Sequence, residues 1–220
     1  MTSRLTVAVV QQKGGSGKTT LAINLAAAAH LGKERALVVD MDRQGSAFDW
    51  SAARREGSRL EGLAVVRADR ALALPRFREM AQGYEAVFLD GPPRLGDITL
   101  SAAVAADVAI IPLQPGPFDF WAVAETLECL DKADSIRAHL ELPPLRRAFV
   151  VNRAQRQTRL AREAVASLAA TNGAFFGVVH QRIVFSEACS RGESVLTLPD
   201  AEAAACEINQ LWRAIKEAVR

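Results

Sequence analysis

The stretch VVQQKGGSGKTTLAIN, residues 9–24, decides the fold of this chain. Its GKT at residues 17–19 matches the end of the phosphate-binding pattern G-x-x-x-x-G-K-[ST]. The position of the first glycine in that pattern holds Gln12, and a second lysine, Lys13, stands beside it. The stretch therefore predicts a phosphate-binding loop that carries one unusual extra positive charge.

A phosphate loop needs a strand before it and a helix after it, and the sequence supplies both. The apolar run Leu5–Val10 precedes the loop and the helical pattern Leu21–Leu31 follows it. Glycines let backbone N–H groups approach a polyphosphate, and the N-terminus of the helix favours the same anion. We expect Lys18 to reach the β- and γ-phosphates and Thr19 to give its hydroxyl to Mg²⁺. Thr20 is expected to hydrogen-bond the α-phosphate.

Short apolar runs rich in Val, Ile or Leu alternate with longer helical patterns along the chain. The runs do not alternate polar and apolar residues, as is expected for strands buried on both faces of a sheet. Repeated strand–helix–strand units favour right-handed crossovers. The pattern predicts an α/β fold of the P-loop NTPase type: one doubly wound, mostly parallel sheet flanked by helices, in a single domain over residues 1–220. The predicted strands are Leu5–Val10, Ala36–Val39, Leu63–Val66, Ala86–Leu89, Val108–Pro112, Phe149–Val151 and Phe175–Val179; the predicted helices include Leu21–Leu31, Gly45–Gly57, Leu72–Gln82, Asp119–Leu130 and Thr158–Thr171.

Composition narrows the class of protein. The 220 residues are 50% hydrophobic and 24% charged, with a formal net charge of +2, which indicates an ordinary globular chain and neither requires nor excludes nucleic acid. Cys129, Cys189 and Cys206 are far apart, which predicts reduced thiols without a disulfide framework or a zinc site. No signal-peptide pattern and no membrane-spanning apolar run is present, so a cytoplasmic location is expected.

Acidic residues follow two of the predicted strands. Asp40 and Asp42 stand at alternate positions after the second strand, so both point to one side, where paired acids can hold Mg²⁺ through water and orient an attacking water. One of them could instead cap the helix after Gly45, and we expect Asp40 to have the supporting role. Asp90 ends the apolar run AVFLD and is expected to contact Mg²⁺ through a water, as a Walker B acid does. The prolines after Gly91 predict a non-helical switch segment.

The second lysine of the loop needs a partner outside its own subunit. Two ammonium groups that serve one nucleotide from one side would repel each other, so Lys13 is better placed if it reaches a nucleotide held by another subunit. The loop KGGSGKTT resembles the deviant Walker A motif K-G-G-x-G-K-[ST] of the ParA/MinD family of P-loop ATPases. The resemblance implies that Lys13 crosses a dimer interface and acts in catalysis together with Lys18. It also implies that the nucleotide is bound by Gly14, Gly15, Ser16, Gly17, Lys18, Thr19 and Thr20.

Later segments resemble the same family. The segment DMDRQGS is similar to the family's D-x-D-P-Q-G-[SN] motif, which implies that Asp42 is tied to hydrolysis, although Arg43 replaces the usual proline. The segment FVVNR implies that Asn152 contacts adenine, since an amide can both donate to and accept from the base edge. The block VVHQRIVFSEACSRGESVL implies that the loop at residues 180–182, with Arg182, borders the base. His180 is not expected to be a catalytic base, because no nucleophile is paired with it.

The run IIPLQPGPFDFWAV, from Ile110, also resembles the family. It is either a dimer or switch surface, or a strand followed by a helix that Asp119 caps.

Arginines recur late in the chain. Such a stripe can bind DNA phosphates without reading sequence, and the alternative is a solvated helix face offset by Glu163. The candidate DNA contacts are Arg153, Arg156, Arg159, Arg162 and Arg182. The C-terminal segment EINQLWRAIKEAVR has one apolar face and a polar face of both signs, which favours a closing helix packed on the sheet over a membrane-binding helix.

The resemblance as a whole implies a short ParA-type partition ATPase without an N-terminal helix-turn-helix extension. ATP and Mg²⁺ would assemble a homodimer that binds nucleoid DNA without sequence preference, and weak hydrolysis would be stimulated by a ParB-like centromere-binding protein or a cargo adaptor. Four alternatives stay open at this point: a positioning ATPase for a protein cargo, a MinD-like membrane-associated ATPase, an iron-protein relative, and a nucleotide switch with little turnover.

Overall fold

The computed structural model describes residues 4–155, 158–159, 162–163, 166 and 174–219, with only the backbone described for residues 117–122 and 174. Its strands form one seven-stranded sheet in the order β3-β2-β4-β1-β5-β6-β7, and every pairing is parallel. The strands are β1 Leu5–Val9, β2 Ala36–Asp40, β3 Ala64–Arg67, β4 Ala86–Asp90, β5 Val108–Leu113, β6 Arg146–Ala154 and β7 Ala174–His180. The helices with assigned bounds are α1 Lys18–Leu31, α2 Ser46–Ala52, α3 Leu74–Met80, α4 Asp97–Ala105, α5 Pro117–His139, α6 Val184–Ser190 and α7 Glu202–Val219.

The core lies in two layers, one on each face of the sheet. Alternate residues of the central strand divide between them: Val7 and Val9 pack with α1 and α7, whereas Ala8 packs with α3, α4 and α5. All three side chains are fully buried. The apolar run that forms β1 is therefore a strand covered on both faces, and the doubly wound fold is confirmed.

The order of the strands predicts that the ligand-binding crevice of the sheet lies at the carboxyl end of β1. The chain first builds β2, β3 and β4 on one side of β1 and then β5, β6 and β7 on the other. Ligands of open α/β sheets bind at the carboxyl ends of the strands where the direction of winding changes. The loop at residues 10–17 leaves the sheet at this point.

Helix α7 closes the layer that contains α1. Its residues Ile208, Leu211, Trp212 and Ile215 are buried, and the ring centroids of Trp212 and Phe88 lie 5.3 Å apart. The apolar face of this helix is thus used inside the fold, and the predicted closing helix is confirmed. Within the described parts of the chain, none of the helices combines the length and apolar character that crossing a membrane requires.

Helix bounds differ from the sequence prediction more than strand bounds do. Helix α2 ends at Ala52 instead of reaching residue 57, and α5 extends to His139. The predicted helix over 158–171 lies mostly outside the described residues. The predicted cap Asp119 falls on the backbone-only segment of α5, so its side chain is also outside what the structure describes.

Candidate functional site

The phosphate loop depends on two glycines with left-handed backbone. Gly15 has φ 75° and Gly17 has φ 89°, a region that side-chain-bearing residues rarely adopt. At Gly17 a Cβ would also lie 2.2 Å from Nδ2 of Asn152. Gly17 therefore serves both the turn into α1 and the close approach of β6.

Side chains from neighbouring strands bind the carbonyl oxygens of this loop. The Gly15 carbonyl accepts hydrogen bonds from Nε2 of Gln114 at 2.7 Å and Nη1 of Arg153 at 3.1 Å. The Ser16 carbonyl accepts one from Nδ2 of Asn152 at 2.7 Å. These bonds fix the loop from the ends of β5 and β6 without using its N–H groups, which are the donors an anion needs.

Gln11 anchors the start of the loop, although the sequence pattern gave no sign of it. Its side chain is fully buried; Nε2 donates to the Pro112 carbonyl at 3.3 Å, and Oε1 accepts from the Gln12 N–H at 2.8 Å and the Thr126 hydroxyl at 2.9 Å. A buried amide of this kind ties the loop to both β5 and α5. Gln12, which replaces the usual first glycine, is thus held through its own backbone.

Lys18 lies buried at the start of α1. Its Nζ donates to the Lys13 carbonyl at 3.2 Å. Burial lowers the pKa of Lys18, while the nearby Asp90 and Asp42 carboxylates act to raise it. The ammonium thus lies near the loop and two carboxylates, where it can neutralise charge on a polyphosphate bound by the loop.

Asp90 is a buried carboxylate at the end of β4. Its neighbours in the sheet are Val9 and Asp40. Burial raises the pKa of Asp90 to about 7, and the Thr19 hydroxyl partly opposes that rise. Neither carboxylate oxygen accepts a hydrogen bond of standard geometry from any residue that the structure describes, and the Ser16 hydroxyl is similarly unsatisfied. Such groups call for a ligand or water.

These residues fit a magnesium ion that takes most of its ligands from water and phosphate. Mg²⁺ is commonly held by one or two protein oxygens together with substrate phosphates, and Thr19 and Asp90 supply such oxygens. Across the described ranges, no group of three or more His, Cys, Asp or Glu side chains forms an all-protein metal site.

The two aspartates after β2 have different surroundings. Asp40 is fully buried; its Oδ1 accepts from the Asp42 N–H at 3.1 Å and its Oδ2 from the Phe48 N–H at 2.9 Å, in the first turn of α2. Burial raises the pKa of Asp40, and these backbone donors act to lower it. Asp40 therefore supports the loop and the helix start, as expected. Asp42 is half-buried, and its Oδ1 accepts from the Gln44 N–H at 3.1 Å.

Two adjoining clefts run along the carboxyl ends of the strands. The phosphate-side cleft has a volume of about 610 Å³, and Asp42 lines it together with Lys18 and Thr19. The base-side cleft measures about 480 Å³ and is lined by Asn152 and by residues 179–183. The residues common to both are Gly17, Thr20, Arg153 and Cys189. The structure thus brings the predicted phosphate and base residues to one continuous site.

Arg182 lines the base-side cleft but is engaged by a residue that the sequence pattern did not reveal. Its guanidinium makes a bidentate pair with Glu207 of α7, with N–O distances of 2.6 and 2.7 Å. Burial alone would raise the pKa of Glu207, but hydrogen bonds from Arg182 and His180 outweigh it and lower the pKa. His180 is held by the same carboxylate, through its Nδ1 at 2.7 Å.

The predicted arginine stripe is divided by the structure. Arg153 lies in β6 at φ 54° and turns to the phosphate loop, and the side chain of Arg182 is only 19% exposed in its pair with Glu207. Arg159 and Arg162 are exposed, and Arg159 pairs with Glu163 at 2.7 Å. Arg156 lies outside the described residues. DNA binding stays a prediction, and these positions favour Arg159 and Arg162 over Arg153 and Arg182 as contacts.

Two further roles also remain predictions. Lys13 is half-buried at the mouth of the loop. Its contact with a nucleotide in a second subunit stays a prediction. The amide of Asn152 lines the base-side cleft while it binds the Ser16 carbonyl, so a contact with adenine would use its remaining hydrogen-bonding capacity. All three cysteines are free thiols, as predicted.

Comparison with known proteins agrees with this geometry. The family model for the CobQ/CobB/MinD/ParA nucleotide-binding domain matches residues 7–195 of the chain. The chain belongs to the ParA/MinD family. The site at the carboxyl ends of the strands is therefore the nucleotide site of a ParA/MinD P-loop protein, and the resemblance inferred from KGGSGKTT is confirmed.

Curated ParA/MinD relatives include both chromosome-partitioning and positioning proteins. The chromosome-partitioning ATPase Soj of Thermus thermophilus is 35% identical over 86% of each chain. The maintenance of carboxysome distribution protein A (McdA) of Gloeobacter kilaueensis is 43% identical over 55% of this chain and 54% of that protein. The protein of the same name from Halothiobacillus neapolitanus is 28% identical over 94% of both.

Solved ParA/MinD-type structures share the fold. The ATP complex of Cyanothece McdA superposes with a TM-score of 0.78 at 16% identity, covering 99% of this chain and 97% of the other. A putative plasmid partition protein from Borrelia burgdorferi bound to AMPPNP gives a TM-score of 0.76 at 16% identity, covering 98% and 100%. At this identity the likeness concerns the fold alone.

Proposed function

We propose that this chain is a ParA-type ATPase that binds ATP with Mg²⁺, dimerises and works on DNA as a partition or positioning motor. The observation that carries the proposal is the buried Lys18 between a pre-fixed phosphate loop and the carboxylates of Asp42 and Asp90. That arrangement suits a γ-phosphate whose transfer is catalysed by positioning and by charge neutralisation.

The predicted phosphate and magnesium ligands each have a role in this proposal. The loop N–H groups and the N-terminus of α1 bind the phosphates, and Lys18 neutralises charge on the β- and γ-phosphates. Thr19 and Asp90 hold Mg²⁺, which when bound neutralises charge on the phosphate oxygens. Asp42, which also lines this cleft, orients the attacking water. The fully buried Asp40 keeps Asp42 in place through the bond to its backbone N–H.

Dimerisation through Lys13 is the next part of the proposal. Lys18 already occupies the inner side of the loop, and its ammonium binds the Lys13 carbonyl, so the Lys13 backbone stays while its side chain serves a second subunit's nucleotide. The ATP-bound dimer then binds nucleoid DNA without reading sequence. A ParB-like protein or a cargo adaptor stimulates hydrolysis, and the ADP form releases the dimer and the DNA.

The test compares DNA binding and molecular mass of wild type with ATP–Mg²⁺ and with ADP, and of Lys13→Gln with ATP–Mg²⁺, at a stated salt concentration. Wild type is expected to dimerise and to bind random duplex DNA only with ATP, and Lys13→Gln to do neither while still binding ATP. Lys132→Gln, which removes an exposed lysine far along the chain, is the matched control. Dimerisation by Lys13→Gln equal to wild type would overturn the role of Lys13, and a wild-type dimer that ignores DNA would overturn the DNA step.

A protein cargo is the second candidate, because McdA proteins, named for carboxysome distribution, are among the relatives as well as Soj. The two cargoes differ in the adaptor. Purification of the ATP-bound protein from its own cell distinguishes them: a centromere-binding adaptor with its DNA supports partition, and an adaptor attached to a protein assembly supports positioning.

A MinD-like membrane role has less support, because the apolar face of α7 is packed inside the fold. Co-sedimentation of the ATP form with liposomes tests it, and we expect the protein to stay in the supernatant.

A further inference from the structure

One carboxylate outside the nucleotide site organises a whole wall of the base-side cleft. Glu207 of α7 accepts four hydrogen bonds, all from residues 180–182. Its Oε1 binds Nδ1 of His180 and Nη2 of Arg182, both at 2.7 Å. Its Oε2 binds the His180 N–H at 3.0 Å and Nη1 of Arg182 at 2.6 Å. Both oxygens are thus used on this one segment.

The segment that Glu207 holds is the connection between β7 and α6. Residues 179–183 line the base-side cleft, whereas Glu207 does not. The segment is also held at its two ends: the Gln181 N–H donates to the Ala154 carbonyl at 3.0 Å, and the Ile183 carbonyl accepts from the Ser186 N–H at 2.9 Å. Ile183, at the end of the segment, is 78% exposed on the cleft wall and is the most exposed of the large hydrophobic side chains in the described parts of the chain. This apolar surface follows directly after the residues that Glu207 binds.

The anchor itself is rigid. Ile208 and Leu211, near Glu207 on α7, are 0% and 2% exposed in the core. The side chain of Glu207 is 14% exposed and that of Arg182 is 19% exposed, so the bidentate pair is largely shielded from water. Loss of the carboxylate would leave the Arg182 guanidinium poorly compensated next to the cleft and would remove four of the hydrogen bonds made by residues 180–182.

We infer that Glu207 is a positioning residue for nucleotide recognition: it holds the 180–183 segment in the shape that packs against the base. The inference rests on the proposed ATP binding and adds to it a determinant on the C-terminal helix that acts without touching the nucleotide. The phosphate loop is held independently by Gln114, Asn152 and Arg153, so Glu207 affects the base-dependent part of the affinity and not the phosphate-dependent part.

The experiment measures dissociation constants of Mg²⁺–ATP and of Mg²⁺–tripolyphosphate, which has phosphates but no base. Glu207→Ala is expected to weaken ATP binding about tenfold or more, the usual size of a lost shielded bond to a charged group. Tripolyphosphate binding is expected to stay within about twofold of wild type. Glu207→Gln keeps the shape of the side chain and some acceptor capacity, so its affinity for ATP is expected to lie between those of wild type and Glu207→Ala. It also covers the case in which the alanine variant folds poorly.

Two controls make the outcome specific. Glu202→Ala removes an exposed carboxylate from the first turn of the same helix and should change neither constant. Arg182→Ala combined with Glu207→Ala should weaken ATP binding no more than the worse single variant, because both act through one pair. Equal weakening of ATP and tripolyphosphate, or unchanged ATP binding by both Glu207 variants, overturns the inference. Failure of wild type to bind Mg²⁺–ATP overturns the proposed function itself, and the inference with it.

Discussion

The negative charge of Asp90 lowers the free energy of unfolding when no ligand is bound. Its pKa rises from about 4 in the unfolded chain to about 7 in the folded one, because it is fully buried. The folded state therefore binds a proton that the unfolded state has already released between these values. The free energy of unfolding must fall as pH rises from about 4 to about 7.

Asp90→Asn removes this titration. Relative to the variant, ligand-free wild type is expected to lose about 1–3 kcal/mol of stability between pH 5 and pH 8. Denaturant unfolding of both proteins at the two pH values measures the difference, and the same variant should lose Mg²⁺-dependent ATP hydrolysis. A difference between the proteins that does not change with pH would show that Asp90 is charged in the folded state throughout.

Gly17 offers a second prediction for one residue, with a matched control in the same chain. Gly17 and Gly57 both have left-handed φ values, 89° and 75°, but a Cβ meets the Asn152 amide only at Gly17. Gly57→Ala is expected to cost about 1 kcal/mol of backbone strain. Gly17→Ala should cost more and weaken nucleotide binding by more than about a hundredfold, because Asn152 must move and the loop with it. Equal losses of stability in the two variants would show that a Cβ at residue 17 does not clash with the Asn152 amide.

Among the elements, α4 and α5 are joined by a buried arginine. Arg137 of α5 is 3% exposed; its Nη1 donates to the Val104 carbonyl at 2.8 Å and to the Ala106 carbonyl, and its Nε donates to the Pro143 carbonyl at 2.8 Å. Carbonyls at the C-terminus of α4 have no partner within their own helix, so this side chain supplies one.

Arg137→Met keeps much of the length of the side chain and removes its donors. It is expected to lower the free energy of unfolding by about 3 kcal/mol, since buried carbonyls are left unsatisfied. Arg76→Met, which breaks the exposed pair with Glu79, should change it by less than about 1 kcal/mol. Equal effects in urea titrations would mean that water replaces Arg137 at α4.

On the scale of the whole molecule, the proposed DNA surface gives a fourth prediction. Arg159→Ala with Arg162→Ala should leave ATP-dependent dimerisation intact and weaken DNA binding. The slope of log affinity against log salt should become shallower by about 2–4, because the variant dimer lacks two arginines in each subunit and each arginine that neutralises a DNA phosphate contributes about one to that slope. Arg76→Ala with Arg78→Ala removes two exposed arginines of α3 as a control. An unchanged salt slope would identify the helical arginines as a solvated face.

The strands and the phosphate loop could be predicted because their signals are local. Apolar runs such as Val108–Pro112 and the glycines of the loop need no distant partner to be recognised. Gln11, Gln114 and Glu207 could not be predicted, because their roles depend on partners brought near by the sheet; Gln114, for example, binds a carbonyl 99 positions earlier. The position of Arg153 could not be predicted for the same reason, since it belongs to β6 and its side chain binds the Gly15 carbonyl.

The partners of the phosphate loop have a consequence for synthesis of the chain. The loop is translated before the side chains from β5 and β6 that bind its carbonyls: Gln114 follows 99 positions after Gly15, Asn152 follows 136 after Ser16, and Arg153 follows 138 after Gly15. Contacts of such long sequence separation form late and slow the folding of a domain. A nascent chain that ends before β6 has the complete motif but lacks the bonds from Asn152 and Arg153 to the loop carbonyls. We therefore expect the loop to take the shape that binds a nucleotide only after β6 has been translated and has packed beside it.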